Sequence, residues 1–146
     1  MRISVIGAGE CAGEIYDQAR EVGRILAEKG HILVCGGMGG VMEAASKGAC
    51  LAGGQVIGIL PGSDPREANP FVTCAVTTEM GIMRNYLVVQ NGGAAIAVSG
   101  GYGTLSEIGM ALKLGRRVVL LGGWKQIDGV ELVSSPKEAV DRAQGR

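Results

Sequence analysis

Three short apolar runs, each followed by a cluster of glycines and then by residues at helical spacing, constrain this chain more than any other feature. Arg2-Ile3-Ser4-Val5-Ile6 leads into Gly7-Ala8-Gly9-Glu10-Cys11-Ala12-Gly13. Ile32-Leu33-Val34-Cys35 leads into Gly36-Gly37-Met38-Gly39-Gly40, and Ala94-Ala95-Ile96-Ala97-Val98 into Ser99-Gly100-Gly101-Tyr102-Gly103. Apolar runs of this length bounded by turn residues read as buried strands. Between them, Ile15, Ala19, Val22, Ile25 and Leu26 make one face of a helix over Glu14 to Lys29, closed by Gly30, and Val41 to Leu51 reads as a second helix. Further strands are expected at Gln55 to Leu60, Phe71 to Thr77 and Arg117 to Leu121, with a short edge strand at Val130 to Val133. Helices are expected at Met80 to Asn91 and Thr104 to Leu114, and a last one begins at Ser135-Pro136 with proline in its first turn. Gly62 to Pro70 and Gly122 to Gly129 read as loops. Regular alternation of strand and helix implies right-handed crossovers and a mainly parallel sheet between two helical layers. With no internal repeat and no composition break, residues 1–146 read as one α/β domain.

A chain of 146 residues, 47% apolar and 19% charged, can bury a core and still leave apolar surface for a subunit contact. Its formal net charge of zero argues against a general nucleic-acid surface. Four widely spaced cysteines without a Cys-x-x-Cys pair read as buried free thiols of a reducing cytoplasm. With His31 the only histidine and no ligand cluster, no metal site is expected. Neither a signal peptide nor a run long enough to cross a bilayer is evident.

Each glycine turn ends a strand and opens a helix, and at the carboxyl edge of a parallel sheet that is where ligands bind. Glycine leaves the backbone amides uncovered, and the positive end of the following helix favours an anion, most naturally a phosphate. Ser99, Gly100, Gly101, Gly103 and Thr104 are therefore candidate phosphate-binding residues. The plain alternative is a tight turn with a capping box, in which Thr104 bonds forward and Glu107 reaches back. Gly7 and Gly9 fit a dinucleotide fingerprint loosely, but Gly36-Gly37 stands where an acid would bind the ribose of NAD. That disfavours NAD and leaves a mononucleotide open. Gly7, Gly9, Gly36, Gly37, Gly39, Gly40 and Met83 are the candidate nucleotide-binding residues.

Between Met80 and Ser106 the only charged residue is Arg84. An unpaired guanidinium in apolar surroundings costs on the order of several kcal/mol, so a partner is required. Glu107 is the nearest acid downstream; a ligand phosphate or carboxylate is the other candidate, and a purely structural Arg–Glu pair is the plain reading. Met80, Met83 and Leu87 form one apolar stripe of this helix and Ile82, Tyr86 and Val89 another, which predicts burial against both its own sheet and a second subunit.

The stretch Ser99-Gly100-Gly101-Tyr102-Gly103-Thr104-Leu105-Ser106-Glu107 resembles the Pro-Gly-Gly-x-Gly-Thr-x-x-Glu signature of the Lonely-guy family, with serine in the place of proline. Gly36-Gly37-Met38-Gly39-Gly40-Val41-Met42 resembles the same family's second glycine element. The Met80–Leu87 segment resembles its arginine-bearing segment, with Asn85 in place of a lysine. The resemblance covers roughly Arg2 to Leu121 and is nearest a short subgroup that includes molybdenum-cofactor carrier proteins. It implies a Rossmann-like three-layer αβα sandwich and a homodimer or homotetramer. For the family's hydrolases it implies release of the base from nucleoside 5′-monophosphates, with Arg84 and Glu107 as the catalytic pair. The lysine-decarboxylase label once given to such sequences fits poorly, because no lysine stands near the glycine turns to hold pyridoxal phosphate.

Two function classes remain. One is a nucleoside 5′-monophosphate phosphoribohydrolase that leaves free base and ribose 5-phosphate. The other is a carrier or sensor that binds a pterin nucleotide or mononucleotide without chemistry. The intact Arg84 and Glu107 favour the first; Ser99 and Asn85 favour the second. Neither needs a resident cofactor, a nucleic acid or a membrane.

Overall fold

The fold follows from where the apolar runs must go. In the computed structural model, which describes residues 1–123 and 126–145, each run is a strand buried on both faces. The strands are β1 (Arg2–Gly7), β2 (Ile32–Cys35), β3 (Val56–Leu60), β4 (Cys74–Thr77), β5 (Ala94–Val98), β6 (Arg117–Leu121) and β7 (Val130–Val133). All pair in parallel, in the order β4-β3-β2-β1-β5-β6-β7. Helices α1 (Gly13–Glu28), α2 (Val41–Leu51), α3 (Arg84–Gln90), α4 (Tyr102–Lys113) and α5 (Pro136–Ala143) cover its two faces.

Alternation along each strand divides the core. Ile3, Val5, Ile96 and Val98 face α1, α2 and α5, while Ile6, Ala95 and Ala97 face α3 and α4. This is the three-layer Rossmann-like α/β sandwich that the alternation predicts. The layer of α1 and α2 is unusually close. A Cβ on Gly23 would lie 1.9 Å from the Ala45 carbonyl oxygen, and one on Gly48 the same distance from that of Arg20. Reciprocal glycines thus let the two backbones touch. Across the sheet, the Ser4 hydroxyl donates to the Val88 carbonyl at 2.6 Å and pins α3 to β1.

Four expectations need correction. The Met80–Asn91 segment is not one helix. Gly81 takes a φ of +57°, a 3₁₀ turn runs over Gly81–Met83, and only Arg84–Gln90 is α-helical. Val89 lies in the chain's own core at 1% exposure, whereas Met80, Ile82, Met83 and Tyr86 are exposed, so only one side of the segment is unpartnered. The capping box is absent: α4 begins at Tyr102 with Gly101 as its cap, which places Thr104 and Glu107 inside the helix. The thiols are not uniformly buried. Cys35 is, Cys11 and Cys50 are half-buried, and Cys74 is exposed because β4 is an edge strand; all four are free. The last helix does begin as expected, with the Ser135 hydroxyl accepting from the Glu138 amide. The expected loop at Gly122 to Gly129 includes Trp124 and Lys125, which lie outside the described residues.

Candidate functional site

The strand order reverses between β1 and β5. Their outgoing loops must diverge there to opposite faces, which opens a crevice at the carboxyl edge. A cleft of about 390 Å³ occupies that crevice. Its floor is Gly7, Ala8 and Gly9 after β1 and Gly36 after β2; its far wall is Gly101, Gly103, Thr104 and Glu107 at the start of α4. Arg84 and Asn85 close it from α3, and Met42 from α2.

The glycines divide by role. A Cβ on Gly101 or Gly103 would meet nothing within 4 Å, so both present bare backbone to the cleft. Gly100, at φ +119°, lies against Thr104, whose Oγ1 would be 2.3 Å from an added Cβ. Gly100 therefore lets Thr104 tuck beneath the turn. The second turn is mainly a packing device. Gly40 and Gly39 lie against the backbone of Ala8 and Gly9, and Gly37 lies against Leu60 and Gly58. Of that turn only Gly36 reaches the cleft. Ser99 and Gly100 lie just behind the wall, and Met83 lies outside, on an exposed apolar patch with Ile82, Tyr86 and Met110.

Ser99 has a φ of +54°. Proline is held near −65° and cannot adopt that conformation. The turn after β5 is thus built on a backbone closed to the proline of the Lonely-guy signature, and its amide donates instead to the Leu121 carbonyl at 3.0 Å.

Arg84 and Glu107 share the cleft but form no ion pair, and no ion pair among the described residues includes either. The Arg84 guanidinium donates to the Asn85 side-chain oxygen and, at 3.4 Å, to the Gly36 carbonyl. Its Nε is buried and has no partner among the described residues. Burial lowers the Arg84 pKa, against the opposing fields of Glu107 and Cys35. Glu107 is 8% exposed, and among the described residues no hydrogen bond supports its carboxylate. Burial raises its pKa to about 7, with Arg84 only partly offsetting that cost. Cys35, near enough to feel both charges, is a buried neutral thiol, raised by burial and hydrogen-bonded to Ser46 and the Gly37 amide. Sequence reasoning missed Val5, Ile6, Ala8, Met42 and Asn85 as cleft residues. Only Asn85 carried a signal, a buried amide beside the single charge of an apolar stretch.

Other concavities offer less. A groove of about 470 Å³ between α1 and α2 is rimmed by charged side chains, among which Arg24 bridges Glu21 and Glu28. Among the described residues no group of three metal-ligating side chains occurs, and no helix is long and apolar enough to cross a membrane.

Fold and cleft together define a Rossmann-like α/β protein with a glycine-walled crevice at the strand-order switch. The chain belongs to the SLOG cluster4 family, whose model matches residues 1–144. It is 49% identical over 141 residues to an uncharacterised protein of Archaeoglobus fulgidus, covering 97% of this chain and 93% of that one. Among solved structures, it is similar to the molybdenum cofactor binding protein of the phototrophic bacterium Rippkaea orientalis. Identity is 34%, coverage 98% of this chain and 94% of that one, and the TM-score 0.91. It is similar also to the molybdenum cofactor carrier protein of Chlamydomonas reinhardtii, at 31% identity, 99% and 98% coverage and a TM-score of 0.87.

Proposed function

We propose that the cleft binds a phosphorylated, nucleotide-like small molecule and that the chain carries or senses this ligand, with a pterin nucleotide as its class. The observation that carries the reading is the coincidence of two things. Bare amides and a lone arginine converge on the switch-point crevice, and the whole chain aligns with two proteins described as binding or carrying the molybdenum cofactor. The amides of Gly101, Gly103 and Thr104, at the positive end of α4, would take the phosphate. Arg84, short of partners at Nε, would meet the remaining anionic charge. Calorimetric titration with nucleoside 5′-monophosphates and phosphorylated pterins tests this; ligand recovered intact supports a carrier or sensor.

One observation favours a second reading. Arg84 and Glu107 face the same cleft, as the hydrolases of the Lonely-guy family would require. Glu107 would then stabilise an oxocarbenium-like ribose or orient the attacking water, much as carboxylates do in glycoside hydrolysis. That role needs the carboxylate, so turnover would rise with pH through about 7. Appearance of free base and ribose 5-phosphate would select it.

We infer as well that the chain forms a homodimer or homotetramer through the patch of Met80, Ile82, Met83 and Tyr86. Ile82 is 73% and Met83 65% exposed, which is costly for side chains of that size in a lone subunit.

A further inference from the structure

Glu107 sits oddly in a cleft read as an anion site. It is more than nine-tenths buried, points into the cleft, and has no hydrogen-bond or ion-pair partner among the described residues. Gly103, whose bare backbone faces the same cleft, lies four residues earlier on α4 and hence on the same helix face, about 6 Å along the axis. An anion held at the start of α4 therefore comes within roughly one helical turn of this carboxyl. Two negative charges at that range repel, and because this carboxylate is already more than nine-tenths buried the repulsion favours its neutral form. Among the described residues of the cleft the one cation is Arg84, which Asn85 and Gly36 hold in place and which the ligand's own charge would share.

We propose that the cleft takes up its anionic ligand together with one proton, so that Glu107 meets the bound ligand as a neutral carboxylic acid donating a hydrogen bond to it. This rests on the ligand reading above and makes Glu107 a specificity-determining residue. It selects a ligand that presents an oxygen or ring-nitrogen acceptor beside its phosphate, and it disfavours one that presents only donors. The balance is simple. One proton passes from solvent to the Glu107 carboxylate on binding and returns on release; no covalent bond of the ligand changes. Among the described residues, three ionisable groups meet in this region. Cys35, from β2, is held as a neutral thiol by burial, and Arg84, from α3, stays a cation. Glu107 is the one poised to titrate near neutrality. A ligand dianion can only push it further toward the acid form.

The probe is 5′-GMP, which combines a phosphate with a 2-amino-4-oxo ring like that of a pterin. Above about pH 7.5 its phosphate is already dianionic, because the second phosphate pKa is near 6. Titrations at about pH 7.5 and 8.5 in two buffers of different ionisation enthalpy give both affinity and protons taken up. The parent should take up close to one proton at the higher pH and lose affinity by up to about tenfold across that unit. Glu107→Gln, neutral at every pH, should bind with affinity constant to about twofold and no proton uptake through this group. Saturable binding by the parent with no proton uptake and a flat pH profile overturns the inference while leaving the ligand reading standing. No saturable binding by the parent at any pH overturns both. Should Glu107→Gln fail to fold, the proton count on the parent decides alone.

Discussion

Replacing Glu107 by glutamine should stabilise the protein above neutral pH, the reverse of what an Arg84–Glu107 ion pair would give. In an ordinary setting a glutamate titrates near 4.5; in the folded chain burial moves this one to about 7. The unfolded chain releases the proton first as pH rises. Between the two values the folded state holds the extra proton, so stability falls through that window and levels off above about 7. At about 1.36 kcal/mol per tenfold, the full loss is about 3 kcal/mol. Glutamine has the shape of the neutral acid and pays none of this. At pH 8, Glu107→Gln should therefore exceed the parent by up to about 3 kcal/mol, or roughly 10 °C in Tm for a chain of this size. At pH 4.5 the two should nearly coincide. Thermal melts of both proteins across that range are sufficient. A variant less stable than the parent at pH 8, or a gap that does not open with pH, would refute the reasoning and return Glu107 to a structural pair.

Gly103→Val adds a side chain where nothing lies within 4 Å, so it should fold with stability within about 1 kcal/mol of the parent. It should nonetheless cut affinity for a phosphorylated ligand by about tenfold or more, measured by titration, as when one charge-assisted hydrogen bond is lost. Gly23→Ala drives a methyl into the Ala45 carbonyl and should cost about 1–3 kcal/mol in denaturant melts; an unchanged midpoint would show that α1 and α2 are not in contact there. Ile82→Asp touches only exposed surface, so it should dissociate the expected oligomer in sedimentation while sparing the monomer's Tm. A parent that sediments as a monomer at micromolar concentration would contradict the assembly.

Much of the fold was legible because glycine punctuates it. Strands at Ile32–Cys35, Ala94–Val98 and Arg117–Leu121, and the helix at Val41–Leu51, begin and end within two residues of a glycine. Alternation of strand and helix placed the glycine turns at the carboxyl edge of a parallel sheet, but the strand order that opens the crevice between β1 and β5 came only with the structure. What stayed hidden depended on backbone choices that composition does not announce. Gly101, rather than Thr104, caps α4, and that shift carries Glu107 from a cap to a buried wall position. Gly81 breaks the Met80 segment, after which Val89 turns inward while Ile82 and Met83 turn out. The second glycine cluster suggested a ligand loop by its composition, yet Gly39 and Gly40 serve the approach of one loop to another and Gly37 packs on β3. Ser99 in the left-handed region is a further case. The sequence shows a serine in place of a proline, but only the backbone shows that the turn excludes proline.

The most direct test of the account is calorimetric titration of the parent and of Gly103→Val with a panel of nucleoside 5′-monophosphates and phosphorylated pterins, followed by chemical analysis of the recovered ligand. The parent should bind a phosphorylated member saturably, Gly103→Val should lose most of that binding, and the ligand should be recovered intact. Failure of every phosphorylated member to bind, or equal binding by the two proteins, would contradict it.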